Sequence, residues 1–70
     1  AMVDYSKAIQ LNPKDAAAYY GRSNCRAALD DYGAAVSDMD EAINLEPKNA
    51  GFYKQRGNFY YRLNEKEKAC

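Results

Sequence analysis

Three polar side chains toward the end of the chain could together hold an anionic ligand. Lys54, Asn58 and Arg62 are spaced four residues apart, so a helix would place them on one face in successive turns. Two cations and an amide donor in such a row can bind a carboxylate or an acidic peptide through charge-assisted hydrogen bonds. Asn24, on an earlier helical segment, would extend the row. The chemistry that this pattern predicts is binding.

The other polar clusters indicate neither a catalytic site nor a metal site. The chain has no histidine, so we expect no zinc site and no His-based catalysis. Asp38, Asp40 and Glu41 lack the spacing and the glycine of a calcium-binding loop, which favours a solvated helix face. Carboxylates that act as acid and base also need a pocket. We therefore expect a protein that is not an enzyme and that has no cofactor.

The charge balance indicates which classes of partner to expect. Ten basic and ten acidic residues give a formal net charge of zero, whereas binding to nucleic acids or membrane surfaces requires an excess of Lys and Arg. We expect a protein or peptide partner, with an acidic segment as one candidate, and neither a nucleic acid nor a membrane. Cys25 and Cys70 form no CxxC pair, which fits a reducing compartment, so we expect a cytoplasmic location.

The sequence repeats itself with a period of 34 residues. The segment KAIQLNPKDA at positions 7–16 returns as EAINLEPKNA at positions 41–50. Comparison of every residue with the one 34 positions later gives 13 identities in 36 pairs, against roughly two by chance, so the chain is a repeat. The identical pairs include Asp4/Asp38, Ala8/Ala42, Pro13/Pro47, Tyr19/Tyr53, Arg22/Arg56 and Asn24/Asn58.

Each period contains the pattern of two helices. Ala-rich or amphipathic segments predict helices over residues 2–11, 16–29, 33–45 and 50–63. The polar pair Asp30-Asp31 is suited to end one helix and to cap the next, and Pro47 cannot continue the third helix. By repeat symmetry we expect a second break at Asn64-Glu65 and a further helix from Lys66.

The residues at fixed positions in each period resemble those of a known repeat. They are an aromatic early in the first helix, another after the turn, small or apolar residues where helices cross, and a final proline: Tyr19, Tyr32, Ala35, Met39, Ala42 and Pro47. This pattern resembles the tetratricopeptide (TPR) repeat. The resemblance implies an all-α fold in which antiparallel helix–turn–helix units stack as a right-handed superhelix. Ser23 and Arg26 depart from the glycine and tyrosine that the family prefers, which predicts looser or more polar packing.

The 70 residues predict one domain of about two repeats, with its units out of phase. Residues 2–15 would be the second helix of one unit and residues 16–49 a complete repeat. Residues 50–70 would be the first helix and the start of the second helix of the next unit. Because about three repeats are normally needed for stability, two hypotheses follow: head-to-tail association of chains, which completes the missing unit, or a place in a longer array.

The resemblance also implies where a partner would bind. In TPR proteins the first helix of each unit lines a concave groove that holds extended peptides. The groove residues so implied are Tyr20, Asn24, Lys54, Gln55, Asn58, Tyr61 and Arg62, with Ala17, Gly21, Ala28 and Gly51 among them.

Three functions are consistent with this pattern. The first is a non-catalytic scaffold that binds an extended peptide, and the second is a self-assembly module whose repeats stack head to tail or swap between copies. The third is a fragment of a co-chaperone, because Lys54 and Asn58 resemble the first part of the carboxylate clamp that some TPR co-chaperones use.

Overall fold

Four α-helices follow one another within the part of the chain that the structure describes. The structure, a computed structural model, describes residues 2–69, with side chains over residues 3–66. The helices are α1 (Met2–Leu11), α2 (Ala16–Ala28), α3 (Tyr32–Leu45) and α4 (Ala50–Ala69). Helices adjacent in sequence pack against each other, most extensively α2 against α3. Connections of three or four residues make them antiparallel neighbours. The predicted all-α fold is confirmed, and the described residues contain no strand.

Side-chain caps fix where three of the helices begin. The carboxylate of Asp15 accepts a hydrogen bond from the backbone N–H of Ala18 at 3.3 Å. Asp31 does the same at the start of α3, from Ala34 at 3.4 Å. At the start of α4 the side-chain oxygen of Asn49 accepts from the N–H of Phe52 at 3.3 Å. Since free N–H groups at a helix start must find partners, these residues set the phase of each unit.

The turn between α2 and α3 closes the helical hairpin. Asp30 has a left-handed backbone with φ of 67°, and its N–H donates to the carbonyl of Ala27 at 2.9 Å. The N–H of Asp31 donates to the carbonyl of Arg26 at 2.9 Å. These two bonds form the Schellman arrangement that satisfies the last carbonyls of a helix. Asp31 then caps α3 directly, so the predicted helix break at Asp30-Asp31 is confirmed.

The core lies around α3, which is packed between α2 and α4. Ala35, Met39 and Ala42 are completely inaccessible to solvent. The two alanines lie on one face of α3, where their small size lets a neighbouring helix approach closely. The other core residues are Ala16, Val36, Ile43, Phe52 and Phe59.

A polar cluster is buried between α2 and α3. Arg22 donates to both carboxylate oxygens of Asp38, at 3.1 and 2.7 Å, and Arg26 lies 3.4 Å from the same carboxylate. Ser23 is fully buried; its hydroxyl donates to the carbonyl of Tyr20 at 2.6 Å and lies 3.1 Å from the sulfur of Met39. The expectation of more polar packing here is confirmed.

Of the two alternatives predicted for Ser23, looser or more polar packing, the structure has the polar one, because its hydroxyl finds a partner within its own helix and lies against Met39. One detail of the sequence prediction is wrong at this contact. Asp38 does not lie on a solvated face: it is only 3% exposed, whereas Asp40 and Glu41 are exposed. The helical period separates Asp38 from these two neighbours, and the two arginines of α2 neutralise its charge.

The predicted break at Asn64-Glu65 is also wrong, because α4 continues through both residues to Ala69. At the equivalent position of the first hairpin, Asp31 caps α3, and glutamate is not among the residues that cap well. Local propensity also supports the continuation of α4, because Glu and Lys favour helix.

Two helical glycines differ sharply in the space around them, which gives a matched test of the packing. A Cβ at Gly21 would collide with the ring of Tyr5 on α1, whereas one at Gly57 would meet nothing within 4 Å. We expect Gly57→Ala to raise the free energy of unfolding by about 1 kcal/mol, because alanine favours helix. Gly21→Ala should lower it by about 1 kcal/mol, since overpacking displaces Tyr5.

Urea denaturation followed by circular dichroism measures both changes. Equal shifts in the two variants would contradict the close approach of α1 to α2.

Candidate peptide-binding cleft

A cleft of about 710 Å³ lies between α2 and α4, the first helices of successive units. Tyr32, at the start of α3, contributes to its wall. The lining residues are Asn24, Ala27, Ala28, Tyr32, Gln55, Asn58, Phe59, Tyr61 and Arg62. Five of these nine residues are among the seven that the sequence pattern implied for the groove: Asn24, Gln55, Asn58, Tyr61 and Arg62.

An amide pair joins the two sides of the cleft. The side-chain N–H of Gln55 donates to the side-chain oxygen of Asn24 at 2.6 Å. This bond uses one donor and one acceptor, so the amide nitrogen of Asn24 and the amide oxygen of Gln55 keep their own hydrogen-bonding capacity. A donor and an acceptor side by side match the N–H and C=O of an extended peptide backbone.

The cleft carries charge at one position. Arg62 is the charged residue among those that line it, and it follows Asn58 by one helical turn. Both side chains are exposed, as is Tyr61, at 64%. A guanidinium has five donors in a planar fork that binds carboxylates in two-point contact. The cleft therefore combines neutral amide groups with a cationic end.

The remaining two predicted residues lie outside the cleft lining. The ring of Tyr20 stacks on Phe52, with ring centroids 5.4 Å apart, so it packs between α2 and α4. Lys54 is exposed on α4, one turn before Asn58. Gly21, which the resemblance placed in the groove, instead lies under the ring of Tyr5.

The sequence pattern missed two aromatic residues of the cleft. Tyr32 and Phe59 both line it, with ring centroids 6.3 Å apart. Phe59 is buried in the core and Tyr32 is partly buried. The sequence pattern placed Tyr32 directly after the hairpin turn. Its position in the cleft between α2 and α4 depends on how the helices pack.

The described residues contain neither a cluster of metal ligands nor a membrane-spanning helix. No group of three or more His, Cys, Asp or Glu side chains within them is arranged to hold a metal ion. None of the helices in this part of the chain combines the length and the apolar character that crossing a bilayer requires. Cys25 is a partly buried free thiol, and Cys70 lies outside the described residues.

The antiparallel helix pairs, their 34-residue period and the cleft between first helices define a helical repeat protein. The comparison with protein families gives the particular class: residues 16–49 match the model of the tetratricopeptide repeat. These residues, about half of the chain, form a tetratricopeptide repeat. Repeats of this family generally mediate protein–protein interactions. No curated protein matches the chain closely enough to be named as a relative.

Proposed function

We propose that this chain is a non-catalytic interaction module that holds an extended peptide segment in the cleft between α2 and α4. The observation that carries the proposal is the Asn24–Gln55 amide pair, which spans the cleft with a 2.6 Å hydrogen bond. It leaves the amide nitrogen of Asn24 and the amide oxygen of Gln55 as a donor and an acceptor for a ligand. An extended peptide has unpaired backbone groups that need such partners when they leave water.

The ligand that fits best is an extended segment with acidic side chains. Arg62 lines the cleft, and Lys54 stands two helical turns before it on the same helix. A segment lying along α4 would meet Lys54, Asn58 and Arg62 in succession. The neutral amides bind the backbone and the cations select the sequence, because charge complementarity mainly contributes specificity and association rate.

The carboxylate-clamp function is a narrower form of this proposal. The two residues of this chain that resemble the clamp occupy different places: Asn58 lines the cleft, whereas Lys54 lies outside its lining. A clamp requires the terminal carboxylate of the peptide, whereas the cleft requires only an extended backbone and acidic side chains. The C-terminal group of the peptide therefore separates the two functions. The free thiol of Cys25 fits the reducing, cytoplasmic setting proposed for this interaction.

A titration with a short acidic peptide tests the cleft. We expect the side-chain amide signals of Asn24, Gln55 and Asn58 to shift in nitrogen-15 NMR spectra, because the ligand bonds to these groups. Asn58→Ala and Arg62→Ala should each weaken binding about five- to tenfold, the equivalent of one hydrogen bond. Lys54→Ala should weaken it less, since Lys54 lies outside the lining.

Matched controls identify which groups of the protein and of the peptide contribute to binding. Lys14→Ala removes another exposed cation, in the α1–α2 loop, and should leave affinity unchanged. Amidation of the peptide's C-terminus should have little effect on cleft binding, and a complete loss would favour the clamp. Replacement of its acidic side chains by amides should weaken binding in the parent but little further in Arg62→Ala. Parent-like affinity in both Asn58→Ala and Arg62→Ala would refute the site.

A further inference from the structure

The two walls of the cleft carry side chains of different size where α2 ends. Ala27 and Ala28 line the cleft on α2, and Tyr61 and Arg62 line it on α4. These two pairs occupy the same two positions of the 34-residue period. One wall thus presents methyl groups where the other presents a phenol ring and a guanidinium. The small wall leaves part of the cleft free for a side chain of a ligand.

The helices α2 and α4 lie side by side and run in the same direction. The ring of Tyr20 stacks on Phe52, with ring centroids 5.4 Å apart. About one turn later on both helices, the side chain of Gln55 donates to Asn24 at 2.6 Å. The two alanines of α2 follow in the next turn. A peptide that lies along the cleft would therefore contact the Asn24–Gln55 amide pair and the alanines in succession.

Most of the lining at this level is apolar and continuous with the core. Phe59 belongs to the core, and Ala27 and Tyr32 pack against it. The rings of Tyr32 and Phe59 both line the cleft, with centroids 6.3 Å apart. We call Ala27, Ala28, Tyr32 and Phe59 the alanine end of the cleft. A ligand that covers these side chains removes apolar surface from water, which favours an apolar group at this place.

We propose that the alanine end binds one large apolar side chain of an extended peptide whose neighbouring acidic side chain pairs with Arg62. The inference rests on the proposed function, because it names the side chain that the same cleft selects. Charge complementarity supports this occupant, since Arg62 lines the cleft one turn after Phe59 and a guanidinium binds carboxylates well. Ala28 and Tyr61 are exposed in the single chain, so both have surface left for the ligand to cover.

Helix dimensions set the spacing of the two side chains in the ligand. Arg62 follows Phe59 by three residues, which is about 4.5 Å along α4 at about 1.5 Å per residue. An extended peptide advances about 3.3 Å per residue. The apolar side chain should therefore stand one or two residues from the acidic one. The motif that the cleft selects is an apolar residue close to an acidic residue, and not acidic residues alone.

A set of short peptides tests this preference. The reference peptide has one glutamate flanked on each side by two alanines, and each of four variants carries leucine in place of one of these alanines. We expect one variant to bind the unaltered protein roughly tenfold tighter than the reference, because its leucine leaves water. In carbon-13 NMR spectra the methyl signals of Ala27 and Ala28 should shift more with that variant. Equal affinities for all the peptides would overturn the inference.

One substitution in the protein fills the alanine end. Ala28→Leu places a larger side chain at an exposed position in the last turn of α2. Leucine favours helix nearly as well as alanine, so the helical circular dichroism should be kept. The preference for leucine in the peptide should fall from roughly tenfold to less than about threefold, because the introduced side chain occupies the same space. An unchanged preference in this variant would refute the placement.

Ala17→Leu is the matched control in the protein. It makes the same change at an exposed position of α2 outside the lining of the cleft, so the preference should stay, and its loss in both variants would contradict the inference. The reference peptide separates this inference from the proposed function. If the reference binds but leucine adds nothing, the cleft is retained and the alanine end is refuted. If neither the reference nor any variant binds, both are refuted.

Discussion

Met39→Ala is expected to lower the free energy of unfolding by about 3 kcal/mol, the largest effect of any substitution proposed for this chain. Met39 is fully inaccessible to solvent at the centre of α3. Truncation removes buried apolar surface and leaves a cavity that packed helices only partly fill. The core of a domain of this size rarely supplies more than about 3–5 kcal/mol, so the variant should keep no more than about 2 kcal/mol of stability at 25 °C.

Thermal and urea denaturation followed by circular dichroism provide the measurement. Met39→Leu is the matched control, because it conserves volume and should cost less than about 1.5 kcal/mol. If Met39→Ala were as stable as Met39→Leu, α3 would not be the centre of the core.

Asp38→Asn is expected to have the second-largest effect, a loss of about 2 kcal/mol. The substitution keeps shape and removes the charge that two arginines of α2 share. Breaking a buried ion pair costs more when the remaining charge cannot reach water. Here Arg22 and Arg26 side chains keep 19% and 31% of their surface exposed, which holds the loss below the range for a fully buried pair.

The same pair has a predictable pH dependence. The hydrogen bond that Arg22 donates to Asp38 raises the pKa of Arg22 above its ordinary value, although burial of the guanidinium opposes this. Because the folded pKa lies above the unfolded one, the contribution from the charge of Arg22 is complete at neutral pH and up to the unfolded pKa of arginine. It is lost as pH rises through the folded pKa of Arg22. The difference between parent and Asp38→Asn should therefore stay constant between neutral and moderately alkaline pH.

Asp40→Asn is the matched control for Asp38→Asn. Asp40 lies on the same helix and also bonds to an arginine, Arg56, at 2.8 Å, but its side chain is half exposed. Exposed ion pairs contribute little to stability, so we expect no shift beyond the error of the denaturation curve. Equal effects of the two substitutions would contradict the difference in burial.

The helices were predictable because local and periodic signals agree. Alanine-rich segments, aspartate caps and a 34-residue period all indicate the same hairpin, and Asp30-Asp31 marks its turn. The continuation of α4 through Glu65 was not predictable from the period, because repeat symmetry assumes a packed second helix. The burial of Asp38 was missed for a similar reason, since its surroundings depend on Arg22 across the helix pair.

The cleft was predictable only in part. The resemblance indicated the face of α4 that carries Gln55, Asn58 and Arg62, because the helical period alone places them together. The partner of Gln55 was not predictable. Asn24 and Asn58 share a position in the period, but Gln55 corresponds to Gly21, so the hydrogen bond between Asn24 and Gln55 has no counterpart one period earlier.

The nearest-neighbour packing of the four helices has a consequence for how the chain reaches its fold. All three extensive helix contacts join elements adjacent in sequence, so little loop-closure entropy must be lost before a stabilising contact forms. Chains with such local contacts fold in microseconds to milliseconds. The α2–α3 hairpin has the most extensive of these contacts, and the residues that cap both of its helices belong to the same chain. Because it lies between α1 and α4, folding can spread from it in both directions.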